Sequence, residues 1–276
     1  MDFLDFRSSD RRWRVHVDHV FDLAIALEFD GEQPRFFADR PARSSALHVG
    51  DFSGEVARGA SCNCRVHTLA PHCHGTHTEC VGHVTRDRVV LHALTPVPPM
   101  LALLLSVVPA RLGDSAETGP PTARADDPVV TRTLLAAAAR AWSDLHVHAL
   151  VVQTLPHDPA RAHRAYVGPC PAAYFTREAI DWIVARGIVS LVVDLPSLDR
   201  ADDGGHLSGH RAYWGLPAGS TDVGEAQRAH ALVTELALVP AQLEDGPYLL
   251  DLQVPAFAAD AAPSRPVLYR LTEQSA

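Results

Sequence analysis

The chain has 276 residues, a formal net charge of −9, and 47% hydrophobic against 21% charged residues, proportions of a soluble globular protein with a substantial core. The acidic balance argues against nonspecific binding to nucleic acid or an anionic membrane. All 24 basic residues are arginine, which removes Schiff-base lysine chemistry and a lysine-based phosphate loop.

Residues 1–20 are charged with scattered aromatics and read as an N-terminal arm or a first short strand. They lack the apolar core of a signal peptide, and the longest apolar run, 96–110, is too short and proline-rich to span a bilayer. Five cysteines, with Cys62 and Cys64 only one residue apart, fit reduced thiols in a cytoplasmic protein better than a disulfide framework. Residues 21–27 alternate enough for a strand, and Pro34 and Pro41 mark loops after it. Phe36 and Phe37 either approach a pocket or cover core. Alternation over 63–69 predicts a strand delivering the next segment.

That segment is Pro71-His72-Cys73-His74-Gly75-Thr76-His77-Thr78-Glu79-Cys80-Val81-Gly82-His83, thirteen residues with four histidines, two cysteines and a carboxylate. Such a density of soft and borderline ligands suits zinc better than calcium or magnesium. In an extended chain, Cys73, His77, Glu79 and His83 share one face, and His72 and His74 the other. The bland alternative is a histidine-rich surface loop.

Further on, 96–108 reads as a buried strand, 113–128 as a surface loop, and 129–142 as an alanine-rich helix with Thr131 or Thr133 near its start. Residues 148–155 form the next buried strand. Thr176 to Gly187 carries full helix punctuation: a threonine cap, an acidic first turn, and apolar residues at 180, 183 and 184 before a closing glycine. A strand over 188–194 follows, so the chain reads as one α/β domain over 1–276 with a mixed sheet, barrel-like at its core, flanked by helices. Strands over 248–254 and near the C-terminus complete it.

The order of residues 73–83 resembles the His-x-Gly-Thr-His-x-Asp-x-x-x-His signature of the kynurenine formamidase and cyclase family of metal-dependent hydrolases. The Gly75-Thr76-His77 core and His83 match; Cys73, Glu79 and Val81 depart from it. Asp194-Leu195-Pro196-Ser197-Leu198-Asp199 resembles the family's Asp-x-Pro-Ser-x-Asp segment, and Glu235-Leu236 lies in a stretch like its Glu-x-Leu. The resemblance implies a swivelling β/β/α fold of cyclase type and a metal site of Cys73, His77, Glu79, His210 and Glu235. His206 and His230 compete with His210, and His72 or His74 with Cys73. Zinc is the expected ion, with manganese the alternative, as one ion or two. His83 is the expected general base, and Asp194, Ser197, Phe37 and Trp214 the expected pocket. The implied reaction is hydrolysis of an N-formyl amide, cyclic amide or lactone, of arylformamidase type as in tryptophan catabolism. The alternative is a metal-dependent cyclisation, dehydration or isomerisation; a noncatalytic metal- or redox-binding protein is a third possibility. The implied partners are a small-molecule substrate and further copies of the chain, as a homodimer or higher oligomer.

Overall fold

A computed structural model describes residues 3–8, 11–38, 40–166 and 172–274. Its centre is built from apolar runs that can lie only inside a sheet covered on both faces. Four of them, β4 (Met100–Val107), β5 (Ala149–Thr154), β6 (Ser190–Val193) and β7 (Leu232–Glu235), run parallel in that spatial order. The other strands of this sheet are β1 (Phe3–Ser8), β2 (Arg11–Asp22), β3 (His77–Glu79), β8 (Gly246–Gln253), β9 (Ala261–Pro263) and β10 (Arg265–Gln274). They flank the parallel centre with antiparallel pairings, giving the order β1-β2-β10-β8-β4-β5-β6-β7-β3-β9. The result is one domain with a ten-stranded mixed sheet and few helices.

Among the described residues, each connection between neighbouring parallel strands carries one α-helix: α1 (Arg132–Ala138), α2 (Arg177–Ala185) and α3 (Ser208–Trp214). All three crossovers step in the same direction, so a common hand puts the helices on one face. Leu135, Ile180, Ile183 and Trp214 pack there against Leu103, Leu105, Val152, Val193 and Val233. The alternate residues, including Ala102, Leu104, Val151 and Val192, meet Val239, Leu243, Leu250 and Leu268 on the opposite face.

Thr176 caps α2 by accepting from Ala179 N, and its hydroxyl donates to Glu117 Oε2 at 2.7 Å. Thr176→Ala should cost about 1–2 kcal/mol of stability, read as a shifted midpoint in urea. No loss would mean that the cap is not stabilising.

Two expectations change. Of the arm or short strand expected at the N-terminus the structure shows strand, and more of it: β1 and β2 pair as a hairpin at the sheet edge; Trp13 and Val15 are buried by it, while residues 1, 2, 9 and 10 lie outside the described part. The strand expected over 21–27 in fact ends at Asp22. Beyond it the backbone donors go elsewhere: Ala24 N to the Asp22 carboxylate and Ile25 N to Thr76 Oγ1.

Candidate metal centre

The 71–83 segment is not uniformly extended. Pro71–Cys73 is a single 3-10 turn, Gly75 is left-handed at φ 75°, His77–Glu79 is β3, and Val81–His83 turns again. Thr76 fastens the segment, donating from Oγ1 to Leu236 O at 2.6 Å. Antiparallel pairing sets His77 opposite Glu235 and Glu79 opposite Val233. Both β3 side chains therefore share the helix face with Glu235, the last residue of β7. The site thus lies beyond the carboxyl end of a parallel strand, where open α/β sheets place their ligands.

The third contributor is α3. Its start has no side-chain cap of its own, and the Asp199 carboxylate serves instead, accepting from Gly209 N at 2.6 Å and His210 N at 3.1 Å. Asp199 also meets His210 Nδ1 at 2.6 Å, so the same carboxylate starts the helix and fixes the ring. His210 Nε2 then lies 2.8 Å from Glu79 Oε1 and 3.2 Å from Glu235 Oε1. Glu235 Oε1 accepts from Leu198 N at 2.8 Å, and His77 Nε2 stands 3.5 Å from Glu235 Oε2. On the open side, His72 Nδ1 is 2.8 Å from Glu79 Oε2, and the His83 ring stacks on His72 with centroids 4.2 Å apart.

The chemistry of these atoms tests whether a cation fits. His77 Nε2, His210 Nε2 and both Glu79 oxygens are buried without a hydrogen-bond partner. The short inner contacts lie within ion-pair reach but lack hydrogen-bond angles, whereas the outer contact from His210 to Asp199 has them. Converging lone pairs with no proton between them would be costly unless a cation sat among them. Ligand-capable atoms lie within 4.8 Å of one another in three groups: His72, His77 and Glu79; Glu79, His210 and Glu235; and His72, His83 and Asp260. Nitrogen and carboxylate donors at such separations fit one zinc- or manganese-like ion, or two sharing Glu79.

Without a metal, protons take the cation's role. Burial alone would raise the Glu79 carboxyl, but the charges of His83 and His210 hold it well below the usual range. Burial would likewise lower His72, yet the carboxylates of Asp260 and Glu79 push it up to about 10. A histidine raised in the folded state stabilises most below its unfolded value of 6.5, and that contribution disappears as pH climbs through about 10. The metal-free protein should therefore melt at progressively lower temperature between these limits, and saturation with zinc should flatten the trend. Parallel melting curves with and without zinc would dispose of the idea.

The sequence pointed to His77, Glu79, His210 and Glu235, and the structure brings them together. Cys73 lies on the wall of the adjoining cavity but in none of the three groups; the turn at Pro71–Cys73 presents His72 instead. His74 turns away, with Nε2 2.9 Å from Arg40 O. His206 and His230 also lie outside the groups, bordering other cavities. The cavity over the site, about 480 Å³, is lined by Phe36, Phe37, Ser197, Leu207 and the 201–205 loop. Two pocket expectations are corrected. Trp214 is 0% exposed and behind His210 in the core, its indole donating to Ala231 O at 2.9 Å. Asp194 is buried and does not line the cavity; it is paired with Arg161 and accepts from Thr154 N at 2.8 Å. His72 was set on the wrong face by the alternation argument, and Asp260 carried no sequence signal at all.

A sequence profile described as "Putative cyclase" matches residues 21–200. The chain belongs to the cyclase family. Among curated proteins no sequence matches it. Its fold is similar to that of a protein described as a novel cyclase, at TM-score 0.61 and 15% identity over 93% of this chain and 88% of that one. Isatin hydrolase A from Labrenzia aggregata, bound to benzyl benzoate, aligns at 0.60 and 15% over 91% and 93%. A predicted metal-dependent hydrolase from Bacillus stearothermophilus aligns at 0.54 and 12% over 91% and 97%. The cyclase match includes the whole 71–83 segment and ends at Arg200, so His210, Glu235 and Asp260 are placed by the fold alone. Among the described residues, no helix is long and apolar enough to cross a membrane.

Proposed function

We propose that the protein is a metal-dependent hydrolase of an amide or lactone carbonyl, acting on a neutral, planar small molecule. The observation that carries this reading is the convergence of unpartnered imidazole nitrogens and carboxylate oxygens at the floor of a cavity. His77, Glu79, His210 and Glu235, with one donor from the Pro71–Cys73 turn, would hold the ion. When bound, a zinc or manganese ion supplies a Lewis acid for the carbonyl oxygen and makes water acidic enough to attack near neutral pH.

The chain supplies the rest. His83 borders the cavity with Nδ1 3.9 Å from Glu79 Oε2, placed to take a proton from the attacking water and return it to the leaving nitrogen or oxygen. Ser197, whose Oγ accepts from Asp199 N at 3.2 Å, lines the same cavity and offers a hydroxyl to the substrate. Phe36 and Phe37 meet edge to face at 4.6 Å and offer an aromatic side. Among the described residues no arginine lines the cavity, while Asp202 and Asp203 do, beside the ion-holding Glu79 and Glu235. That lining disfavours anionic substrates and favours a cyclic amide, an N-formyl arylamine or an aryl lactone.

The test is turnover of isatin, an N-formyl arylamine and an aryl lactone by protein loaded with zinc or manganese. Ring opening or deformylation that ceases on chelation is expected, with His83→Ala slowed about 100-fold or more. Metal bound without turnover of any of the three would remove the hydrolase reading. A product of unchanged mass would favour the alternative, metal-dependent isomerisation or cyclisation. We also propose a cytoplasmic setting, which the cysteine pattern supports, and a homodimer or larger homo-oligomer, which the family resemblance supports.

A further inference from the structure

Asp260 belongs to the turn before β9, far in sequence from every motif considered above, and its place at the site is built into the backbone. Its carbonyl accepts from Cys80 N at 3.0 Å. A Cβ on Gly82 would lie 2.2 Å from Val89 O and 3.1 Å from Asp260 Cβ, so glycine here admits the Val89 backbone and leaves the Asp260 side chain room beside it. The Asp260 carboxylate thereby reaches His72 Nε2 at 2.8 Å and stands 3.8 Å from His83 Nδ1.

The two histidines around Glu79 are then held alike. His210 has Nδ1 on Asp199 and Nε2 toward Glu79; His72 has Nε2 on Asp260 and Nδ1 toward Glu79. In both, the outer contact has hydrogen-bond geometry and the inner one does not. A carboxylate on one ring nitrogen keeps the proton there and leaves the lone pair on the other. His77 is held in the same way by Gly75 O, 3.1 Å from Nδ1. Cys73 sits one residue further along the turn, and its sulfur belongs to no ligand group among the described residues.

We infer that Asp260 is a positioning residue that makes His72 the nitrogen ligand of the metal centre in place of Cys73. The inference rests on the metal-centre reading above and goes beyond it by naming the ligand and the residue that orients it. In this assignment Asp260 acts on metal binding through the His72 ring it contacts, and not as a carboxylate ligand of the His72, His83 and Asp260 group.

The experiment is zinc titration of the chelator-treated protein against a chromophoric competitor, together with the absorption spectrum of the cobalt-loaded form. The variants are His72→Ala, Asp260→Ala, Asp260→Asn, the His72→Ala/Asp260→Ala double variant, Cys73→Ser and Glu79→Gln. Asp260→Ala should weaken zinc binding by about 10- to 100-fold, Asp260→Asn by less, and Cys73→Ser not measurably. The double variant should bind no more weakly than His72→Ala alone, because Asp260 has nothing left to orient. The cobalt form should lack a thiolate charge-transfer band. A thiolate band that Cys73→Ser removes, unchanged zinc binding in Asp260→Ala, or additive losses in the double variant would each overturn the assignment. Those outcomes would leave a metal centre that Glu79→Gln still destroys. A parent protein that binds no zinc would overturn the metal-centre reading and this assignment with it.

Discussion

Glu79→Gln should lower zinc affinity more than 100-fold and take hydrolysis below detection, while the metal-free protein still folds. Glu79 is the common member of two of the three ligand groups, and both of its oxygens are buried without a hydrogen-bond partner. The amide keeps the shape but replaces one acceptor by an NH2 that offers only donors. It would point hydrogens at the lone pairs of His72 or His210, which stand 2.8 Å from the two oxygens. Substitutions behind a ligand already cost about 10- to 100-fold in affinity, and removing a shared ligand should exceed that. Elemental analysis and turnover, measured on the same preparation, decide the matter. Retention of stoichiometric metal would mean that the cation sits elsewhere.

Asp194→Ala should cost about 3–5 kcal/mol of folding stability, the loss typical of breaking a buried ion pair from one side. Asp194 joins the carboxyl ends of β5 and β6: it accepts from Thr154 N and Thr154 Oγ1 and pairs with Arg161, which also donates to Thr154 O at 3.3 Å. Burial raises its pKa to about 6 despite the opposing charge of Arg161. Alanine would leave Arg161 and two threonine donors uncompensated. Asp194→Asn keeps an acceptor for Thr154 and should recover part of the loss. Urea unfolding with an unchanged slope is the measurement, and a loss below about 1 kcal/mol, the ordinary effect of a point substitution, would refute the role.

The parts of the centre that were legible in sequence are those fixed by local spacing or by a motif. His77 and Glu79 are two apart in a true strand, so alternation placed them together. The same argument failed four residues earlier because Pro71 begins a turn and Gly75 reverses the backbone, which brings His72 to the site and leaves Cys73 on the wall. His210 and Trp214 are one helical turn apart, so the tryptophan lies near the centre but faces the core. Asp260 could not be read, because its contact with His72 spans 188 residues and depends on the pairing of β9 with β3. For the fold, the apolar parallel strands and the well-capped α2 announced themselves. The N-terminal hairpin showed only as an arm or a short strand, because its charged side chains masked the buried alternation of Trp13 and Val15.

The pairing of β3 between β7 and β9 has a consequence for how the protein matures. Thr76 meets Leu236 across 160 residues of chain, and the ligands on either side of that contact are just as remote. Closing loops of this length forfeits chain entropy before any contact repays it, so these ligands meet late, once the parallel strands have docked. A growing or partly unfolded chain therefore displays the 72–83 histidines alone, without Glu235 or Asp260. High-affinity metal capture becomes a report of completed folding, and a fluorescent zinc competitor would follow the last stage of refolding directly.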